Sequence, residues 1–499
     1  MPSLLGIDNG LTVTKAVIFD ADGTVLALAR RRVPQILPKP QHVERDMAQL
    51  WSATAEAIAE AVALSGRPAS DILAVAATAH GDGLYLLDQD KRPLGHGILS
   101  LDSRAGGIVA AWADRAEAAL ALTGQVPPAC SPAALLAWVR DHEPARFAQI
   151  GHVLACKDWL RFCLTGTIGT DRTEASTAFT DVRTQDYTTD ALRLFGLEAL
   201  LPALPPMSDP AAIVGHVTAE AAALTGLAVG TPVAAGLHDV TASALGIGGH
   251  APGVVAIVAG TYSINEVVSD QPQTDPRWLC RNGILPGQWN NMALSPASAA
   301  NYDWFLETLC AADLAACGAD IHAALAPEIN DALARPSTLR FHPYLFGSPH
   351  GPQASAGFLG LRGWHNRGDM LRAVLEGIVF NHRVHIDALR DGFAVHEARL
   401  TGGVARNPAF AQMVAEVLGM PVTTSQTEEA AAWGAALCAG AAVGLYASPL
   451  HDPRDMSLLG QDYLPDPARS AMYEKRFQLH CKLSATLAPL WPEIEALIP

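Results

Sequence analysis

Basic residues are scarce in this 499-residue chain: 34 Lys and Arg stand against 50 Asp and Glu, giving a net charge of −16, and they gather into no stripe. Nucleic acid and anionic membrane surfaces are therefore not expected as partners. Cysteine is sparse too. The eight thiols, Cys130, Cys156, Cys163, Cys280, Cys310, Cys317, Cys438 and Cys481, include no C-x-x-C pair and no zinc-finger spacing. Reduced, mostly buried thiols are expected, without a disulfide framework or a zinc site. The N-terminus lacks a basic region and reaches Asp8 before an apolar core develops, so no signal peptide is expected and cytoplasm is the default. Disordered tracts are missing as well, since apolar residues make up 49% and charged residues 17%. One long stretch lacks charge, residues 430–450, but Ala and Gly dominate it, which favours a buried helix over a membrane span.

What is present starts at residue 4. Two strand-like runs, Leu4-Leu5-Gly6-Ile7-Asp8 and Val13-Thr14-Lys15-Ala16-Val17-Ile18-Phe19, flank a turn that gathers a carboxylate, a glycine, hydroxyls and a lysine. That mixture suits a nucleotide phosphate. Asp8 can hold Mg²⁺ through water, Gly10 lets backbone approach phosphate oxygens, and Thr12, Thr14 and Lys15 supply hydrogen bonds and charge. The competing reading is an ordinary hairpin in which Asn9-Gly10 forms a favoured two-residue turn. A diverged second copy lies at residues 253–268, where Gly260 and Thr261 make the turn between two apolar runs. Two such hairpins imply a duplicated architecture, and the length implies two domains of about 250 residues, set at 1–247 and 248–499. Just before the second hairpin, an apolar strand ends at His238-Asp239 and a small-residue helix follows. An acid at such a strand end can serve as a general base.

Alternating strand and helix patterns favour an α/β class. Asp46 with Gln49 three residues on marks a helix start, and that helix ends near Gly66. A short strand at 72–77 leads into Thr78-Ala79-His80-Gly81-Asp82-Gly83, whose His and Asp can grip a polyhydroxy ligand; a solvated loop without a role is the alternative. Further on, Gly402-Gly403 precedes Asn407-Pro408, a strong helix start, and Gly419 ends that helix. Bare backbone at the two glycines permits an adenine or ribose to lie against it.

Assembled, these pieces resemble the FGGY family of carbohydrate kinases, a branch of the actin/Hsp70/hexokinase-like ATPase fold. The most specific match is Ala356-Gly357-Phe358-Leu359-Gly360-Leu361, then seven residues, then Asp369-Met370-Leu371-Arg372-Ala373-Val374-Leu375-Glu376. A second signature is met by Pro132, Leu136, Trp138, Val139, Asp141 and His142, although Leu135 stands where a lysine is usual. The resemblance implies a two-domain α/β fold with an active-site cleft between the domains. Asp8, Thr12 and Lys15 match the first phosphate motif, with Leu11 replacing a hydroxyl residue; Gly260 and Thr261 match the second. Asp239 matches the catalytic base, Gly403 and Asn407 match the adenosine motif, and Glu429 with Gly434, Ala435 and Ala436 resembles the helix beside it.

The resemblance also implies ATP, Mg²⁺ near Asp8, and a primary hydroxyl of a pentulose or related polyol as acceptor. Sugar hydroxyls are then expected on His80, Asp82, Asp102 and Asp239. The stretch from His80 to Arg104, with residues 295–298 and 346–349, looks most like the L-xylulose kinase branch. Glycerol- or erythritol-type polyol kinases, a non-catalytic nucleotide-dependent regulator on the same fold and a plain hydrolase are the alternatives. A homodimer is the candidate assembly.

Overall fold

The computed structural model describes residues 2–497 apart from 352, 428 and 457. Contacts divide the chain into two compact units. One comprises Met1–His250, Val268–Asn291 and Thr427–Asp455, and the other Ala251–Val267, Met292–Gln426 and Met456–Pro499. Two later segments thus fold with the first 250 residues.

The first unit is built on a sheet of strands β1 (Ser3–Asn9), β2 (Val13–Asp20), β3 (Val25–Arg32), β4 (Ile72–Ala79), β5 (Ile213–His216), β6 (Pro232–Ala234) and β7 (Leu237–His238). Their order is β5-β6-β4-β1-β2-β3, and β7 pairs with the far end of β4. The β1–β2 and β2–β3 pairs are antiparallel, whereas β4 lies parallel to β1, β6 and β7. Because side chains alternate along a strand, β1 and β2 feed two cores. Leu5, Ile7, Ala16 and Ile18 meet the Met47–Ser65 helix on one face, while Leu4, Val17 and Phe19 meet the Ala430–Ala442 helix on the other.

The Met47–Ser65 helix starts and stops as its sequence predicts, with Asp46 accepting the Gln49 N–H at 2.9 Å and Gly66 in the left-handed region at φ 63°. The uncharged 430–450 stretch forms a buried helix only as far as Ala442, before Gly444 turns the chain at φ 73°. Its small residues allow close approach. A Cβ on Gly6 would lie 2.1 Å from the Ala432 carbonyl oxygen, and one on Gly434 would lie 2.1 Å from that of Ala242. Among the described residues, no helix is long and apolar enough to cross a membrane.

The second unit repeats the theme with β8 (Val254–Ala259), β9 (Ser263–Ser269), β10 (Glu397–Thr401), β11 (Val422–Ser425) and β12 (Gly460–Tyr463), in the order β9-β8-β10-β11-β12. As in the first unit, the leading strand of a hairpin pairs in parallel with a later strand: β8 joins β10 as β1 joins β4. The helix Pro408–Leu418 is capped by Asn407, whose side chain accepts the Ala409 N–H at 3.0 Å, and closes at Gly419 with φ 64°. All eight cysteines are free thiols. Four are buried and the other four partly exposed, so half rather than most of them are buried.

Candidate active site

The first hairpin sets Asp8 directly across from Lys15 in the β1–β2 register. The Lys15 ammonium stands 3.1 Å from Asp8 Oδ2 and 2.8 Å from Glu429 Oε2, and Arg30 reaches the other oxygen of Glu429 at 2.5 Å. Burial pushes the Asp8 carboxyl up from the usual carboxylate range, against the opposing pull of Lys15. Thr12 is exposed at the turn. Thr14 is not a phosphate donor: it lies on the face of β2 that meets the Met47–Ser65 helix, buried with its hydroxyl 3.1 Å from that of Thr54. Nor does Asn9-Gly10 make a two-residue turn. Asn9 pairs with Thr14, and Gly10 donates to the Val13 carbonyl at 2.9 Å. The Asn9 amide oxygen instead accepts from Arg45 at 2.9 Å.

Parallel pairing of β7 with Thr78 and Ala79 delivers Asp239 to the same end of the sheet, as the first residue of the Asp239–Gly246 helix. The approach depends on Gly236, which adopts φ 75° and would place a Cβ 1.9 Å from the Ala77 carbonyl oxygen. Asp239 Oδ1 accepts the Val240 N–H at 2.8 Å, and its side chain keeps 31% exposure. Its carboxyl is pushed up to about 7, first by burial and then by the negative charge of Asp8, with Asp82 adding to it; the N–H groups of Val240 and Gly81 oppose the shift. A carboxylate so tuned accepts a proton readily near neutral pH.

The loop after β4 carries the expected acceptor-binding residues. His80 is buried, its Nε2 3.2 Å from the Tyr85 hydroxyl and its Nδ1 3.5 Å from the Ser100 hydroxyl. Burial, aided by the Arg45 charge, pushes it down to about 3, so the ring is neutral. Gly81 passes so close to His238 that a Cβ there would sit 1.7 Å from Nε2. Asp82 holds a left-handed φ of 57° and pairs with Arg281 at 3.0 Å. Asp102 is occupied otherwise. Its buried carboxylate accepts from Arg104 Nε and Nη2 at 2.9 and 2.8 Å, from the Arg104 backbone at 2.9 Å and from the Val43 backbone at 2.7 Å. Those contacts use the lone pairs that a sugar hydroxyl would need, so the geometry makes Asp102 a brace for the 100–104 segment.

In the second unit, Gly260 and Thr261 form the turn between β8 and β9; Thr261 is exposed, and Gly260 accepts the Ala299 N–H at 2.9 Å. The glycines at 402 and 403 do different work. Gly402 has φ 119° and would drive a Cβ to 2.2 Å from the Ala259 carbonyl oxygen, whereas a Cβ on Gly403 meets nothing within 4 Å. Nearby, the Asn407 side chain is buried and its Nδ2 has no protein partner. Open backbone beside an unused buried donor fits a nucleoside. Gly403→Val is therefore expected to fold normally and to raise the Michaelis constant for ATP more than that for the acceptor. Equal weakening of both, in parallel steady-state titrations, would assign Gly403 to packing.

Sequence reasoning missed the tie of Lys15 and Arg30 to Glu429, and it missed Arg281. The acidic pair at Asp8 and Glu429 around a lone lysine gave no local signal. For a metal, no group of three or more His, Cys, Asp or Glu among the described residues is placed to hold one. A lone carboxylate is nonetheless the donor set suited to Mg²⁺, which keeps its waters and binds substrate phosphates.

Residues 3–246 match the FGGY family of carbohydrate kinases, N-terminal domain, and residues 255–443 match the C-terminal domain of the same family. The L-xylulose/3-keto-L-gulonate kinase of Escherichia coli (strain K12) is 34% identical over 494 residues, covering 97% of each chain. The erythritol kinase of Brucella abortus (strain 2308) is 32% identical, covering 98% of this chain and 97% of that one. Among solved structures, the xylulose kinase from Rhodospirillum rubrum superposes with a TM-score of 0.84 at 31% identity, over 98% of this chain and 99% of the other. These likenesses show a two-domain α/β fold of the actin/Hsp70-like ATPase type.

Proposed function

The chain belongs to the FGGY family of carbohydrate kinases and is a phosphotransferase, and from that premise we propose that its acceptor is a primary hydroxyl of a pentulose of the L-xylulose type. The names of relatives 32–34% identical support the pentulose, and the observation that carries the chemistry is Asp239. This half-buried carboxylate, pushed up to about 7, stands at the strand end among Asp8, the 80–83 loop and the first hairpin. Asp239 takes the hydroxyl proton as the acceptor oxygen attacks the γ-phosphate of ATP. Lys15 sits ready to place positive charge on phosphate, with Glu429 and Asp8 holding its ammonium. Asp82 and neutral His80 orient sugar hydroxyls, and Asp102 acts through the loop it braces. In the second unit Gly260 and Thr261 offer backbone and hydroxyl to phosphate, while Gly403 and Asn407 receive the adenosine.

Mg²⁺ is assigned to Asp8, where it would supply charge neutralisation to the phosphates. The proposed boundary between the family's two domains lies at 247/248, with Val268–Asn291 and Thr427–Asp455 folding with the first unit. Free thiols throughout are consistent with a cytoplasmic protein, and a homodimer is the proposed assembly. A second reading, a tetritol acceptor, is favoured by the 32% identical erythritol kinase.

The decisive experiment is ATP turnover by the purified protein with L-xylulose, other pentuloses, erythritol and glycerol offered in parallel. Preference for a five-carbon ketose is expected, and robust glycerol phosphorylation with no pentulose turnover would overturn the assignment. A pH profile provides a separate check on the base. Asp239 must be deprotonated to act, so at saturating substrates turnover is expected to fall about tenfold per pH unit once the pH drops below the pKa of the base. With that pKa about 7 in the absence of bound cation, saturating Mg²⁺ should move the break to lower pH by opposing the Asp8 charge.

A further inference from the structure

Arg281 belongs to a segment that carries no motif, yet it reaches the centre of the first unit. It lies on the short strand Leu279–Asn282, which is fixed to that unit by Cys280 N–H donating to the Gly124 carbonyl at 2.8 Å and Asn282 N–H donating to the Ser176 hydroxyl at 3.1 Å. The guanidinium is divided among three residues. Nε donates to Gln125 Oε1 at 3.0 Å, Nη2 donates to the two Asp82 oxygens at 3.0 and 3.3 Å, and Nη1 stands 3.4 Å from both Asp82 Oδ2 and His238 Nε2. Arg281 is only 3% exposed, whereas Asp82 is 16% exposed. The arginine therefore stands behind the carboxylate, with no surface of its own for a substrate.

Asp82 needs such a partner. It is a non-glycine residue in left-handed backbone, at φ 57°, followed by Gly83 at 75°; a residue held there persists when its surroundings over-determine it. Its neighbour on the other side, Gly81, is pressed against His238, the residue immediately before the proposed base. One guanidinium thus touches both the acceptor loop and the base-bearing strand end. A planar fork with several fixed donors can hold a carboxylate and an imidazole at set angles, which a single ammonium cannot.

We infer that Arg281 is a positioning residue for the acceptor site: it holds Asp82 aimed at a sugar hydroxyl and registers that loop against His238-Asp239, and so sets acceptor specificity without touching the acceptor. The inference rests on the reading of Asp82 as an acceptor-binding residue. Without Arg281, Asp82 would turn toward water, and the acceptor would lose an oriented hydrogen bond while the nucleotide residues stayed in place.

The test is a double-mutant cycle in the full-length protein, using whichever alcohol the wild type phosphorylates best. Arg281→Met is expected to raise the acceptor KM about tenfold or more, with kcat and the ATP KM changing less than about threefold. Asp82→Ala should raise the acceptor KM comparably, and the double variant should be no worse than Asp82→Ala alone, since both changes remove one coupled pair. Arg281→Lys, which keeps charge but not the fork, should give a smaller rise and serves in place of Arg281→Met should that variant not fold. An acceptor KM within about twofold of wild type in either folded variant overturns the inference. So do independent, multiplying effects in the double variant, or an ATP KM that rises in step. Absence of phosphoryl transfer to any offered alcohol by the wild type is a different failure: it removes the proposed function, and this inference with it.

Discussion

Replacing Asp239 with Asn is expected to cut turnover by roughly two to four orders of magnitude, the range for loss of a general base, while sugar and ATP still bind. The amide keeps the shape and can still accept the Val240 N–H that meets Oδ1 at 2.8 Å, so the helix start should survive. What it loses is proton affinity. In the native site that affinity is set by burial and by the Asp8 charge, which together bring the carboxyl to about 7. Single-turnover kinetics with bound ATP and acceptor would isolate the chemical step. An Asn variant that retains a tenth of the wild-type rate, with chemistry limiting, would exclude Asp239 as the base.

The second large effect is expected at Gly81. A methyl group there would lie 1.7 Å from His238 Nε2 and 2.2 Å from its Cδ2, so Gly81→Ala must displace the imidazole. The ring has little room to yield. The His238 backbone N–H donates to the Thr173 hydroxyl at 2.9 Å, which fixes the main chain, and Arg281 stands 3.4 Å from the ring's Nε2. Displacement therefore propagates to Asp239, the next residue, and to the Arg281–Asp82 pair. Overpacking of this kind costs about 1–3 kcal/mol of stability, and a base misplaced by about 1 Å costs about 100-fold in rate. Denaturant unfolding and kcat/KM measured on the same preparation would check both. Wild-type efficiency in the Ala variant would mean that the ring swings aside freely, and that the close approach does not position the base.

Local chemistry was readable without coordinates because its partners sit within one turn of chain. Asp46 and Gln49, Asn407 and Ala409, and the closing glycines Gly66 and Gly419 all cap helices where their order in the sequence placed them. The strand ending at His238-Asp239 was legible for the same reason. Thr14 and Asp102 were misread because the sequence gives a residue's type but not the direction of its side chain. Strand register turned Thr14 toward Thr54, and folding supplied Arg104 and Val43 to fill the lone pairs of Asp102.

Sequence alone determined the α/β class, the two hairpins, the acid at a strand end and the family resemblance, since each rests on short-range patterns of apolar spacing, glycine and charge. Tertiary structure decided which of those groups meet. Lys15 finds Glu429 across 414 positions and Arg281 finds Asp82 across 199, pairings that no local pattern encodes. It also decided what each charge is worth, because the proton affinity of Asp239 depends on burial and on Asp8, which β1 and β7 bring close by pairing with β4 on either side. A carboxylate is ordinary until its neighbours and its exclusion from water are fixed, and only the folded chain fixes them.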